Sequence, residues 1–428
     1  MTTSSPRRPP SAARPGAGAA SASAPEQTDR SAPGVLVTVR RIFNAETGNY
    51  FLLLGTTLFL VVFGLIMVLS SSAVTSFRET EDFFSTFWRQ GVFALLAVPT
   101  MLVASRVRSN FWRRWAGIAL MVAIALQFLT VATPLGLSHG GNTNWISIGG
   151  IVGQPSELLK VALVIWLGMI LSQKMPVLDN WKELLPIGII TLLSVGLVVL
   201  GSDLGTTIIL VGIIFGAAFF AGVRLRILAI PFIIVALGAT IMMSSGSRAE
   251  RIAVWLDGCS SPVDYNWLCW QTQHGWWALA SGEMFGVGLG NSKAKWSWLP
   301  EADNDFIFAI IGEEFGLLGA MLVLMLFVVL AIAFVRIIRS NPDPFAKITV
   351  SAIMVWILGQ AFINIAVVLG LLPVLGVPLP LISAGGSSLV TTMLAIGIAM
   401  SFARKPGERT VRRSDGHGSA PRPQALES

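Results

Sequence analysis

The sequence predicts an all-α, polytopic integral membrane protein with ten transmembrane helices, both termini in the cytoplasm, and a large extracellular loop between helices 7 and 8. Three observations carry this expectation. The 428 residues are 54% hydrophobic and only 12% charged, a balance that no soluble core of this length requires. Several apolar runs approach the ~20 residues needed to cross a bilayer. The basic residues are unevenly shared between alternate links, which gives the chain an inside and an outside.

Taken in order, residues 1–35 are rich in Pro, Ala, Ser and Gly, and 1–48 read as a disordered cytoplasmic tail. The apolar runs lie near 50–70, 87–105, 115–133, 155–171, 185–200, 204–222, 227–244, 306–335, 348–370 and 384–402. The eighth is long enough to tilt or to extend past the bilayer. Residues 49–403 thus form one membrane domain, and 404–428 a basic, disordered cytoplasmic tail. With both tails inside, Arg106, Arg108, Arg113, Arg114, Lys174, Lys182, Arg224, Arg226, Arg336, Arg339 and Lys347 all fall on inner links. The net charge of +7 then reflects orientation and contact with anionic membrane lipids, and no nucleic acid is expected as a partner.

Most outer links are short. The exception is 245–305, and loops of that length usually have a function or structure of their own. Its tryptophans between Trp255 and Trp277 suit either the headgroup belt or the stacking of sugars. Cys259 and Cys269 lie ten apart in it. In an oxidising compartment such a pair suggests a disulfide, with two free thiols as the alternative.

The carboxylates of 301–314 stand out. Asp305 is the last polar residue before the eighth apolar run, where Asp can act as a helix N-cap or, ionised, as a general base. Glu313 lies ~12 Å deeper and ~80° around the helix and is the better candidate to share a cavity with Asp305, whereas Glu314 lies on the opposite face. Acidic groups at such depth are costly and tend to be functional. Glu157 and Lys160, three apart at the start of the fourth run, form either a structural ion pair or part of a phosphate site.

Two segments interrupt the helical pattern. Gly-Ser-Asp-Leu-Gly-Thr (201–206) reads as a tight outer hairpin. Residues 373–388 contain Pro373, Pro378 and Pro380 and cannot form a continuous helix. Such backbone must be buried in protein or line a cavity. Gly-Gly-Ser-Ser (385–388), with Ser387, offers donors at a helix start as a candidate anion site, with a simple re-entrant turn as the alternative. No acidic cluster dedicated to a metal is visible, so metal ligands are assigned to none, and a divalent cation (Mg or Mn) stays open.

Five segments in order resemble the SEDS family (shape, elongation, division, sporulation). They are Gln-Pro-Ser-Glu (154–157) with Lys160, Asp-Leu-Gly-Thr (203–206), and Gly-Leu-Gly-Asn-Ser (288–292) with Lys295. The last two are Leu-Pro-Glu-Ala (299–302) running on to Asp-Phe-Ile-Phe (305–308) and Gly-Glu-Glu (312–314), and Pro-Leu-Pro (378–380) with Ser-Ala-Gly-Gly-Ser-Ser (383–388). The Leu-Pro-Glu-Ala context and the long tails are similar to the cell-division branch more than to the elongation branch. The chain departs from the family pattern at Asn144, where Arg is frequent, at Gly201-Ser202, and at Leu381 and Ala384.

The resemblance implies a peptidoglycan glycosyltransferase that polymerises lipid II. It implies that Asp305 is the essential catalytic acidic residue. It also implies that Arg251, Lys295, Gln273, Glu157, Lys160 and Asn364 surround the substrate cavity. The implied partners are lipid II, the lipid-linked glycan strand, a class B penicillin-binding protein transpeptidase and other divisome proteins, at the septum of a bacterial plasma membrane. Rival classes are a lipid II flippase, favoured by the buried charges and broken helices, and a scaffold that only recruits the transpeptidase.

Overall fold

The computed structural model describes residues 48–139, 142–148, 151–229, 231, 233, 247–258, 269–296 and 298–404. Nine helices among them are long and apolar enough to cross a membrane. These are α1 (Gly48–Thr80), α2 (Ser85–Arg106), α3 (Ser109–Ala132), α4 (Pro155–Lys174), α5 (Trp181–Leu200), α6 (Leu204–Ala221), α9 (Ile307–Ser340), α10 (Pro344–Val368) and α11 (Gly386–Ala403). Each answers to an expected run. The expected seventh span, 227–244, and both tails lie largely or wholly outside the described residues. Two shorter helices, α7 (Ser247–Leu256) and α8 (Trp270–Ser281), belong to the large outer loop.

The helices start and stop for local reasons. Pro155 sits in the first turn of α4, where its missing N–H costs nothing. Asn180 caps α5, Asp203 caps α6 and Asp343 caps α10 through side-chain oxygens. Gly222, left-handed at φ 90°, ends α6. On the cytoplasmic side Arg113 pairs with Asp343 (2.9 Å), tying α3 to the start of α10.

The most buried helices are α4, α10 and α11. Around them α3 packs on α4, α6 on α10, α2 on α11, and α1 on α9. Close approach demands glycine at two points. A Cβ on Gly397 would lie 2.4 Å from the Met101 oxygen of α2. One on Gly64 of α1 would lie 2.6 Å from Ile382 Cα, in the segment after α10. That segment is non-helical and buried through Val377, Leu379, Leu381 and Ile382, as its prolines require.

Two features differ from the expectation. Against the all-α expectation, the link between α3 and α4 holds a three-stranded antiparallel sheet, β1 (Gly136–His139), β2 (Asn142–Ile148) and β3 (Ile151–Gly153). The pairs His139↔Asn142 and Ile148↔Ile151 leave two residues, Gly-Gly in both cases, in each connection. Two-residue connections rich in glycine are the usual hairpin signal. The eighth run is as long as expected, Ile307–Ser340, but it is not continuous: α9 is broken at Gly316, whose φ of 66° and ψ of −163° are non-helical.

Candidate active site

A cavity of about 480 Å3 opens among the start of α4, the α5–α6 turn, β2, the loop before α9 and the segment after α10. In the orientation set by the basic residues it lies toward the outer face. Asp305, Glu157, Lys160, Asp203 and Ser387 line it, together with Asn144, Trp145, Gln154 and Gln360.

Asp305 is 4% exposed. The N-cap position of α9 is Phe306, which supplies no capping side chain, and Asp305 precedes it. The backbone around Asp305 is held in place by three successive carbonyls that each accept a bond. Ala384 N donates to the Asp303 oxygen (2.8 Å), Ser383 Oγ to the Asn304 oxygen (2.6 Å), and Asn364 Nδ2 to the Asp305 oxygen (2.7 Å). Ser383 Oγ also accepts from Leu379 N (2.8 Å). Behind them Gln90 of α2 donates to the Ser383 oxygen (3.2 Å) and accepts from Gly385 N (3.1 Å). Buried backbone oxygens need such partners, and here the partners all come from α2, α10 and the segment after α10.

Lys160 and Glu157 form a buried ion pair (2.9 Å) on the cavity wall. Lys160 Nζ also donates to Gln360 Oε1 (3.3 Å) and lies 4.9 Å from the centre of the Trp356 ring. The second Glu157 oxygen accepts from Thr391 Oγ1 (3.2 Å). The ion-pair geometry and a place at the cavity therefore coexist in the same two residues. Burial favours such pairing, because an isolated charge there is expensive.

Asp203 is the second carboxylate held in place at the cavity. Its oxygens accept from Thr206 N (2.8 Å), Thr206 Oγ1 (2.7 Å) and Gln154 Nε2 (3.2 Å). Burial raises its pKa above the ordinary carboxylate value, more than the Thr206 bonds and the Lys160 charge lower it. Burial likewise raises Asp303 in the loop before α9.

The remaining expected site residues are placed elsewhere. Glu313, Lys295 and Asn364 are buried but outside the cavity lining. Glu313 turns to the loop at 292–294, and Asn364 works on the backbone of Asp305. Gln273 is half-buried on α8, while Gln271 of the same helix reaches the cavity. The side chain of Arg251 lies outside the described residues; its neighbour Ile252 lines the cavity. Cys269 is buried and disulfide-bonded, and Cys259 lies outside the described residues. Among the described residues no three His, Cys, Asp or Glu side chains gather as a metal site.

The sequence comparisons match the same stretch of chain. Residues 50–407 match the cell cycle protein family of FtsW, RodA and SpoVE. The chain belongs to this family. The probable peptidoglycan glycosyltransferase FtsW of Mycobacterium tuberculosis is 38% identical over 362 residues, covering 84% of this chain and 68% of that protein. Stage V sporulation protein E of Bacillus subtilis is 34% identical over 361 residues, covering 84% of this chain and 98% of that one. Among solved structures, a chain of a peptidoglycan synthase complex superposes with a TM-score of 0.66. The rod shape determining protein RodA of Thermus thermophilus superposes with 0.61. Both are 22% identical and cover 82% of this chain and 96% of their own. They establish that this FtsW/RodA/SpoVE member has the RodA fold.

Sequence reasoning missed Gln360 and Gln90, and met Asp203 and Ser383 only within the family motifs and the hairpin, with no role for either side chain. A signal existed for Asp203, since Asp just before an apolar run marks a helix N-cap. For Gln360, Ser383 and Gln90 the bonds that tie the site together reach 18 or more residues away, to Pro378, Asn304 and Ser383, and no local pattern reveals them.

Proposed function

We propose that the protein is a peptidoglycan glycosyltransferase that polymerises lipid II into β-1,4-linked glycan strands, with release of undecaprenyl pyrophosphate, during septal wall synthesis. The observation that carries this is the Asp305 carboxylate, on the wall of an outer cavity in a membrane bundle, with its backbone held by three consecutive bonds. A general base needs such positioning more than it needs any other property.

In this reading Asp305 takes the proton from the GlcNAc 4-hydroxyl of lipid II. The hydroxyl oxygen attacks C1 of the strand's terminal MurNAc from the face opposite the pyrophosphate. The C1–O bond to pyrophosphate breaks, the centre inverts, and the lipid pyrophosphate leaves with the bonding pair. Lys160 is the described cation that lines the cavity, and in this reading it stabilises the developing phosphate charge. The lipid tail stays in the bilayer while the sugar reaches the cavity. Relatives named as FtsW support the division role. A class B penicillin-binding protein is the fitting partner, because a new strand needs cross-linking. The similar fold in a complex that coordinates polymerization and crosslinking points the same way.

The test is a lipid II polymerisation assay on purified protein with a class B partner. Wild type is expected to build strands and Asp305→Asn to build none above background. Normal polymerisation by Asp305→Asn removes the base assignment. Lipid II translocation across liposomes without polymer by wild type replaces the reading with a flippase.

A further inference from the structure

Two adjacent carboxylates outside the cavity hold the chain that leads into Asp305. Glu313 accepts from Ser292 Oγ (2.5 Å), Lys293 N (2.8 Å) and Ala294 N (3.3 Å). Glu314 accepts from Ser70 Oγ of α1 (2.6 Å) and pairs with Lys295 Nζ (3.3 Å). Lys295 Nζ also donates to the Gly290 oxygen (2.6 Å) and to Ser70 Oγ (3.3 Å). An ammonium has three protons, and these three contacts use them all. With 6% exposure and no place on the cavity wall, Lys295 has no donor left for a phosphate.

The topology gives this cluster a purpose. Between residues 292–295 and 313–314 the chain runs out to Asp305 and returns as the first turns of α9. The contacts above close that excursion at its base, with Asp305 near its apex. The base is itself anchored where α9 breaks. There Val287 N donates to the Glu313 oxygen (2.9 Å), Gly288 N to the Glu314 oxygen (3.0 Å), and Leu317 N to the Glu283 oxygen (2.9 Å).

We infer that Lys295 and Glu314 are positioning residues for Asp305. Their buried pair clamps the 292–314 excursion so that the Asp305 carboxylate keeps its place in the cavity, and Lys295 acts through that excursion without touching the pyrophosphate. The activity readout rests on the glycosyltransferase reading, but the clamp itself has a readout independent of it.

The experiment compares wild type, Lys295→Met, Glu314→Gln, the double variant and Lys295→Arg, each as full-length protein in lipid nanodiscs. Two quantities are measured: polymerisation of lipid II with a class B partner, and hydrogen–deuterium exchange of residues 299–306. A displacement of about 1 Å at a reacting group can cost about 100-fold, so kcat is expected to fall about 10- to 100-fold in either single variant. The KM for lipid II is expected to stay within about twofold, the signature of lost positioning and not of lost substrate contact. Exchange at 299–306 rises in both. The double variant is no worse than the poorer single one, since the pair acts as a unit, and Lys295→Arg recovers most of the activity.

A KM about tenfold higher with unchanged exchange would mean that Lys295 contacts substrate, and overturns the inference. Losses that multiply in the double variant overturn it as well. If Lys295→Met does not fold, Ser70→Ala removes one donor of the same cluster and must raise exchange at 299–306. If wild type makes no polymer, the glycosyltransferase reading fails and exchange alone decides: a rise supports the clamp, and no change rejects it.

Discussion

Asn364 Nδ2 lies 2.7 Å from the backbone oxygen of Asp305 and 2.7 Å from that of Val377. One amide of α10 therefore ties the loop before α9 to the segment after α10, directly at the residue assigned as base. Asn364→Ala leaves both buried oxygens short of a donor, which costs about 1–3 kcal/mol of stability. The accompanying slip of Asp305 is expected to lower kcat about 10- to 100-fold. Thermal unfolding and initial polymerisation rates measure the two effects. Asn364→Asp is expected to fail as badly, because an ionised carboxylate donates nothing. An Asp variant with full activity would rule out the donor role.

Lys160 separates stability from chemistry. Lys160→Met leaves Glu157 charged, buried and short of its main partner, a loss of about 3–5 kcal/mol. Replacing both, as Glu157→Gln with Lys160→Met, removes the orphan charge and is expected to return most of that stability. Activity is expected to stay low in the double variant, because the cavity then lacks its described cation. Recovery of both stability and polymerisation would reduce the pair to a structural one.

The membrane architecture was legible because its causes are local. Apolar run length, the basic residues of the inner links, Pro155 at a helix start and the prolines of 373–388 each act within a few residues. Asp305 at the junction of loop and helix was legible for the same reason. The i, i+3 spacing of Glu157 and Lys160 gave their pair. What lies across the bundle was not legible. Nothing near Lys295 or Glu314 in sequence reveals that Ser70 of α1 joins them, or that Glu313 spends its carboxylate on 292–294 and not on the cavity. Helical angle places a residue on a face, but the neighbour on that face is chosen by tertiary packing. The sheet at 136–153 was overlooked because its strands are short and sit between two strong apolar runs.

The break in α9 depends on one glycine. Gly316 has a φ of 66°, and a Cβ there would lie 2.5 Å from both Gly286 N and Met284 C. The backbone of 283–288 occupies the gap, with bonds on both sides of it. Gly316→Ala is expected to be strongly destabilising, through strain at a left-handed position added to a backbone clash. The loss reads as lower yield of monodisperse protein and a lower unfolding temperature. Gly359→Ala in α10 is the matched control, since its Cβ would meet nothing within 4 Å. Equal behaviour of the two variants would show that the gap is not needed.

Asp203 makes a prediction with a definite sign. It lies in the turn before the span Leu204–Ala221, and burial raises its folded pKa above the ordinary value of 3.8. The folded state then binds a proton that the unfolded state has released, so stability falls as pH rises through this window. The favourable contribution is fully present below pH 3.8 and is lost as pH passes the raised folded value. Asp203→Asn is neutral at every pH and keeps an oxygen for Thr206 N. The variant is therefore expected to be at least as stable as wild type near neutral pH, with the gap closing toward acid. Unfolding temperatures of both proteins across that range measure the gap directly. A variant that is less stable at neutral pH, and recovers in acid, would show that the ionised carboxylate is what the turn requires.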